Sequence, residues 1–309
     1  MTSFRKMLNK GLRSVGYEIT EVASRRFAKL KNFQKAEIYI ERYREIISDP
    51  LNLLIEKDPY AGYVDKNLVT LHNGNRVPIE GDLAYYKEFS DILIINRGVH
   101  EPLEEFCFQQ MLKKLKKPSP LMLELGSYWA HYSMWLLKTH VSARCYMVEP
   151  DQTNIECGIN NFKINNYKGE FIKSFVGKSS FQVDEFMREK AFDSLDILHS
   201  DIQGYEVEML EGATGLLSRK GASYVFISTH SQQLHNNVEQ VMSEFGYRIE
   251  VSSDFDRCTT SYDGFVLASS PDVEPVFGHF NPMGRTEIVS STSSDLARFI
   301  ASTAALASE

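Results

Sequence analysis

Glu124 and Glu149 each close a short apolar run, in Leu123-Glu124-Leu125-Gly126 and in Met147-Val148-Glu149-Pro150, and they stand 25 residues apart. At the end of the second strand of an open α/β sheet, a carboxylate can accept hydrogen bonds from both hydroxyls of a ribose. A glycine just after the first strand lets backbone come close to the ligand. The pair therefore points to a nucleoside-containing cofactor. No GxGxxG follows Glu124, so nothing prepares a pyrophosphate cradle and a nicotinamide dinucleotide is disfavoured. An acidic residue two positions before Gly126 suits a cationic nucleoside without a pyrophosphate, such as S-adenosylmethionine. A strand ending in Glu-x-Gly is by itself an ordinary turn; the order and spacing of the two motifs give the reading its weight.

A second group lies in His199-Ser200-Asp201 and in Ile227-Ser228-Thr229-His230. Strand periodicity puts His199 and Asp201 on one face, and neighbouring strands run ~4.8 Å apart, so Asp201 and His230 can meet at the carboxyl edge of a sheet. Two roles compete. In one, His230 is a general base oriented by Asp201 that takes the proton of a substrate hydroxyl, a contribution of ~10² to 10⁴-fold. In the other, His199, Asp201 and His230 hold a divalent metal that lowers the pKa of that hydroxyl. His199 reads equally as a satisfied histidine inside a strand. Glu206 begins the following helix, where it either favours the helix dipole or joins the site. His235, one turn after His230, is expected to line the pocket, and Asp263-Gly264 is a turn or a late carboxylate. The aromatic run Tyr128, Trp129, His131 and Tyr132 either stacks on a ligand or fills the core.

The elements that must position these residues follow from periodicity. From residue 120 onward, strands and helices alternate: a strand ending at Leu125, helix 129–139, strand 144–149, helix 151–165, strand 170–177, strand 194–201, helix 205–218, strand 222–229 and helix 231–245. Such alternation implies a largely parallel sheet covered on both faces. Strands 247–253 and 262–267 have no helix between them and are expected to pair antiparallel. Upstream, Leu68 to Leu71 and Arg76 to Ile79 flank His72-Asn73-Gly74-Asn75 as a β-hairpin. A helix follows from Pro102 to Lys116, with proline in its first turn and lysines in its last. Residues 33–47 read as helix, Asp49-Pro50 and Asp58-Pro59 as a linker, and the region after Pro271 as a polar tail with a short apolar stretch at Leu296 to Ile300.

The 309 residues carry a net charge of −7, but residues 1–47 are basic and the remainder is strongly acidic. An acidic body disfavours a nucleic-acid partner. Phe4, Met7, Leu8, Leu12 and Val15 form a helical stripe between lysines and arginines. Residues 1–15 can thus contact an anionic membrane surface or a partner, or pack on the protein itself. There is no apolar run of membrane-spanning length and no secretory signal, so a cytoplasmic protein is expected. The cysteines Cys107, Cys145, Cys157 and Cys258 lack CxxC spacing and read as free thiols.

Over roughly residues 100–268 the chain resembles the FkbM family of S-adenosylmethionine-dependent methyltransferases. The family's DVGANIGYYS is matched by Glu124-Leu125-Gly126-Ser127-Tyr128-Trp129-Ala130-His131-Tyr132-Ser133. Its FEPxxxN is matched by Val148-Glu149-Pro150-Asp151-Gln152-Thr153-Asn154. Its KIDVEGxExxxLxG is matched by His199-Ser200-Asp201-Ile202-Gln203-Gly204-Tyr205-Glu206 with Leu210 and Gly212. Ala130 replaces the second glycine, Tyr128 the asparagine, and His199 and Gln203 the lysine and glutamate of the pattern. The resemblance implies a Rossmann-like methyltransferase fold, a mostly parallel sheet with an antiparallel C-terminal strand, behind an N-terminal helical and β-hairpin extension. It implies S-adenosylmethionine held by Glu124, Gly126, Ser127, Tyr128, Glu149, Pro150, Asn154 and Asp201. It also implies O-methylation of a small-molecule or glycan hydroxyl, with Asp201, Glu206 and His230 as catalytic candidates and His199, Asp201 and His230 as a metal alternative. N-methylation and a non-catalytic scaffold that kept the fold are the competing readings. The expected organisation is a helical region 1–60, a hairpin and helix 61–117 acting as lid or homo-oligomer contact, the methyltransferase domain 118–270 and a tail 271–309.

Overall fold

The computed structural model describes residues 40–85 and 89–307; the amphipathic stripe at residues 4–15 and the first part of the expected helix 33–47 lie outside them. A three-stranded antiparallel sheet, β1 (Val64–Asp65), β2 (Leu68–Thr70) and β3 (Arg76–Pro78), precedes a seven-stranded one. The large sheet contains β4 (Leu121–Leu125), β5 (Arg144–Glu149), β6 (Glu170–Lys173), β7 (Leu195–Ser200), β8 (Ala222–Thr229), β9 (Arg248–Ser253) and β10 (Gly264–Ser269). Its spatial order is β6-β5-β4-β7-β8-β10-β9, parallel throughout except for β10, which runs antiparallel to both of its neighbours. This is the Rossmann-like methyltransferase arrangement, and strand order reverses between β4 and β7.

Register fixes what meets at the carboxyl edge. Leu125 pairs with Val148 on one side and Ser200 on the other, and Ser200 pairs with Ile227. The residues that follow these strands, Gly126, Glu149, Asp201 and His230, therefore emerge side by side. Because β10 is antiparallel and Gly264 pairs with Thr229, its beginning rather than its end lies at this edge, bringing Asp263 with it.

Both faces of the sheet are covered. Leu123, Leu198, Val225, Ile227 and Val266 face one apolar layer, and Met122, Ile197, Phe226, Phe265 and Leu267 face the other. The second layer continues without a break into Val69, Val77, Ile92, Phe106 and Phe108. The segment 61–117 thus packs as a covering layer on the sheet. Helix Pro102–Lys114 is buried from Pro102 to Leu112 on every side, which is why it carries little amphipathic pattern.

Several elements differ from the sequence reading. The expected helix 205–218 is two short ones, Glu206–Glu211 and Thr214–Ser218, because the carbonyl of Gly212 accepts from the N–H of Asp184 instead of continuing a helical ladder. A helix Val183–Glu189 occupies a stretch in which no element was expected. The tail 271–309 holds two helices, Arg285–Ser290 and Ser293–Leu306, the latter started by a reciprocal pair of bonds between Thr292 and Asp295. The tail is anchored by Glu250, whose fully buried carboxylate accepts the backbone N–H groups of Val276, Phe277 and Gly278. Among the described residues no helix is long and apolar enough to cross a membrane.

Asn165, at the end of helix Gln152–Asn165, joins the two sheets: its Oδ1 accepts from the N–H of Arg76 at 2.8 Å and its Nδ2 donates to the carbonyl of Arg76 at 2.8 Å. Replacing it leaves both backbone groups of β3 without these partners, so Asn165→Ala should cost about 1 to 3 kcal/mol in urea unfolding. An unchanged midpoint would mean that burial alone holds the hairpin.

Candidate active site

The loop after β4 is shaped by a backbone crossing. Gly126 has φ +70, and a Cβ placed there would lie 1.7 Å from the carbonyl oxygen of Asp201. Only glycine fits both the left-handed conformation and the approach. The N–H groups of Gly126 and Ser127 both donate to the carbonyl of Val148, at 2.8 and 3.1 Å. Ala130 is left-handed too, at φ +60, which accounts for a glycine at this place in the motif it resembles.

Glu149 is buried and ties the next strand to this loop. Its Oε2 accepts from the N–H of Tyr128 at 3.1 Å, and its Oε1 accepts from the N–H of Asp151 at 3.0 Å and from Nδ2 of Asn154 at 3.1 Å. Asp151 in turn caps helix Gln152–Asn165 by accepting from the N–H groups of Thr153 and Asn154. The result is a cavity of about 490 Å³ bordered by Gly126, Tyr128, Glu149, Pro150, Asn154 and Asp201. These are six of the eight residues expected to hold the nucleoside. The other two, Glu124 and Ser127, border an adjoining cavity of about 240 Å³ instead. Glu124 accepts from the N–H of Ser133 at 3.1 Å, where a carboxylate satisfies an open donor at a helix start.

The smaller cavity shares Gly126, Tyr128, Asp201 and Gln203 with the larger. Its remaining wall is acidic and aromatic, with Glu101, Glu104 and Asp263 beside Tyr85, Trp129 and Tyr262. Burial pushes the carboxyl of Glu101 up to about 7, against the charges of His100 and Arg42. Burial and the neighbouring charge of Asp201 push Asp263 up to about 6. Sequence patterning marks no role for Glu101 and reads Asp263 as a turn or a late carboxylate. Glu101 precedes Pro102 as an ordinary acidic residue at a helix start, and only the packing of that helix on the sheet reveals its place.

His230 does not border either cavity. Its Nδ1 donates to Oε1 of Glu206 at 2.5 Å, its Nε2 lies 3.2 Å from Oδ1 of Asp201, and Asp263 is 3.6 Å away. Burial alone would lower its pKa, but the bonds to Asp201 and Glu206 outweigh that and raise it to about 10. The imidazole is therefore a cation at neutral pH. Both imidazole nitrogens face carboxylates, whereas a general base needs a free one. Asp201 is held below the usual carboxylate range: burial raises it, and His230 and the charge of His199 bring it down.

The expected metal set does not assemble either. Nε2 of His199 lies 2.5 Å from Oε1 of Glu104, on helix Pro102–Lys114, and Oε2 of Glu104 accepts from Oγ of Ser228 at 2.9 Å. Among the described residues, the group of three donor atoms that could hold one ion does not include His199, Asp201 or His230. Burial would lower the pKa of His199, but the charge of Glu104 and the bond to it outweigh burial and raise it. His235, expected to line the pocket, lies in the core between the Oγ atoms of Thr229 and Ser252, each 2.9 Å away. Of the aromatic run, Tyr128, Trp129, His131 and Tyr132 all border the smaller cavity.

Residues 166–249 match the family model described as the methyltransferase FkbM domain. No curated protein matches the chain. Among solved structures, the chain is similar to TrmK of M. capricolum in complex with S-adenosyl-homocysteine, at 14% identity and a TM-score of 0.39, covering 63% of this chain and 81% of that one. It is similar to the O-methyltransferase from Bacillus cereus in complex with the same product, at 14% identity and a TM-score of 0.39, covering 56% and 82%. A precorrin-6y C5,15-methyltransferase from Geobacter metallireducens is similar at 12% identity and a TM-score of 0.39, covering 52% and 86%. The stretch matched by the family model contains β7 and β8, with Asp201 and His230 just beyond their ends and Glu206 opening the helix after β7.

Proposed function

We propose that this methyltransferase domain moves the methyl group of S-adenosylmethionine onto a hydroxyl of a sugar, a glycan or a related natural product. The observation that carries the reading is the wall shared by the two cavities. A nucleoside beside Glu149 and an acceptor beside Glu101 would meet at Gly126, Tyr128 and Asp201. When bound, the cofactor supplies a methyl group on a cationic sulfur.

The chain's own residues supply the rest. The lone pairs of Glu149 left over from its three hydrogen bonds are available to ribose hydroxyls. Asp201, kept ionised by His230, puts a negative charge on the shared wall where a sulfonium is favoured. Glu101 and Asp263, raised to about 7 and about 6, are matched to accepting the proton of a hydroxyl near neutral pH. His230 and Glu206 act behind Asp201 and hold its carboxylate in place. Tyr85, Trp129 and Tyr262 offer ring faces to the apolar side of a sugar. Holding nucleophile and methyl carbon in line is the main contribution such a site can make.

One observation favours a second reading, methylation of an amine. The smaller cavity is bordered by Glu101, Glu104, Glu124, Asp201 and Asp263, and Arg42 is the only lysine or arginine beside them among the described residues. That balance suits a cationic acceptor.

Calorimetry and thermal melts with S-adenosylhomocysteine test the proposal. The wild-type melting temperature should rise by mass action, and Glu149→Ala should weaken binding by about tenfold or more, the worth of a lost charge-assisted hydrogen bond of ~1.5 to 3 kcal/mol. A wild-type protein that shows no shift leaves only the scaffold reading. With labelled S-adenosylmethionine, transfer to polyols but not amines supports the hydroxyl, and Glu101→Gln should then lower kcat by ~10² to 10⁴-fold.

His230 gives a pH signature. A group whose pKa rises from 6.5 to about 10 on folding contributes stability that is full below pH 6.5 and lost as pH climbs through about 10. The gap in melting temperature between wild type and His230→Gln should therefore be widest near pH 6 and close toward pH 10. A gap that does not change over this range would show that His230 is neutral in the folded protein.

A further inference from the structure

Behind the aromatic wall of the smaller cavity lies a cluster of ionisable side chains that the proposed transfer does not use. Glu105, on helix Pro102–Lys114, is fully buried, and three almost fully buried histidines converge on it: His72 from the hairpin turn, His100, and His131 from the start of helix His131–Thr139. Nε2 of His72 lies 2.9 Å from Oε2 of Glu105, Nδ1 of His100 lies 2.5 Å from Oε1, and Nε2 of His131 lies 3.9 Å from Oε1.

These atoms crowd one another without the alignment of hydrogen bonds. Both ring nitrogens of His72, both of His131, Nδ1 of His100 and Oε2 of Glu105 are buried with no hydrogen-bond partner. Buried polar atoms are almost always satisfied, so six orphans in one place call for an explanation. Oε1 of Glu105 already accepts the backbone N–H groups of His100 and Glu101, at 2.9 and 3.1 Å. The free oxygen is Oε2, the one that faces His72.

We propose that His72, Glu105 and His131 bind a divalent transition-metal ion, with zinc the expected occupant. One donor atom from each lies within 4.8 Å of the others, and the three are buried. Two ligands at zinc distances of ~2.0 to 2.1 Å and a tetrahedral angle stand ~3.3 Å apart, near the 2.9 Å between Nε2 of His72 and Oε2 of Glu105. Imidazole nitrogens with one carboxylate suit zinc better than calcium or magnesium, which prefer all-oxygen sets. His72 also borders a surface cleft with Lys57, Asp58 and Trp135.

Such an ion would join three elements distant in sequence: the hairpin, helix Pro102–Lys114 and the helix that follows the Gly126–Ala130 loop. It would also steady that loop, since Trp129 stacks on His131 with ring centroids 5.1 Å apart.

The test uses the full chain purified without chelators or a metal-charged column. Elemental analysis should find about one equivalent of zinc or another divalent transition ion. Dialysis against a chelator should remove it and lower the melting temperature, and Zn²⁺ alone should restore both. His131→Phe preserves the ring and its stack on Trp129 but removes both nitrogens, so it should abolish metal uptake and the Zn²⁺-dependent gain in melting temperature. If that variant does not fold, the wild-type metal content and its response to chelator decide the matter. Wild-type protein with metal far below stoichiometric and a melting temperature indifferent to chelator and Zn²⁺ overturns the proposal. In that case His131→Phe should be as stable as wild type or more so, having shed two unpaired buried nitrogens. None of these readouts depends on S-adenosylmethionine.

Discussion

The chains leaving β4 and β7 touch, and the site is arranged around that contact. The N–H of Asp201 donates to the carbonyl of Leu125 at 2.9 Å, and one residue later Gly126 passes so close to the carbonyl of Asp201 that no side chain could stand between them. Strand order reverses at this point, so the connections from β4 and β7 depart in opposite directions and leave room beyond the sheet edge. The crossing divides that room into two cavities and borders both. Widening it would merge the cavities, and closing it would require moving two central strands, each fully buried.

Electrostatics around the smaller cavity depend on the helix that covers the sheet. Glu101, Glu104 and Glu105 lie at its start, and each meets a histidine: Glu101 and Glu105 meet His100, and Glu104 meets His199. Removing a carboxylate from water costs several kcal/mol unless a partner compensates. The partners here are titratable groups rather than lysines or arginines. Charge in this region is therefore set by a few shared protons, and the neighbours of each group matter more than its residue type. His230 illustrates this: an imidazole that would be neutral alone is a cation between Asp201 and Glu206.

The parts of the structure legible in the sequence were those with short-range signals. The alternation of strands and helices, the Asn-Gly hairpin, and the acidic residues at strand ends all express local periodicity or turn chemistry, and the strands lie close to where they were expected. Six of the eight nucleoside-site candidates border one cavity for the same reason, since a strand end in a parallel sheet has few places to go. What could not be read were pairings across long stretches of chain. Nothing near His199 announces Glu104, which is 95 positions away, and nothing in the polar tail announces that Glu250 will gather three of its N–H groups. The all-round burial of helix Pro102–Lys114 removes the amphipathic pattern that would have shown which face meets the sheet. The Thr292–Asp295 pair was the missed signal with a local signature, a capping box ahead of an apolar run.

Asp263 reaches the site by an unusual direction of travel. The parallel strands present their ends to this edge, whereas β10 presents its beginning, so the connection from β9, residues 254–263, brings Tyr262 and Asp263 to the smaller cavity before the strand starts. This connection is tied down along its length: the Thr260 hydroxyl donates to Asp49 at 2.7 Å, the N–H groups of Phe255 and Asp256 donate to Oε1 of Gln232, Arg257 reaches Glu287, and the carbonyl of Cys258 accepts from the N–H of Arg285. Tyr262 and Asp263, at its end, can change while β8, β9 and β10 keep their register. In evolutionary terms these two positions are where the shape of the smaller cavity can drift without taxing the fold, and for an engineer they are the first to vary.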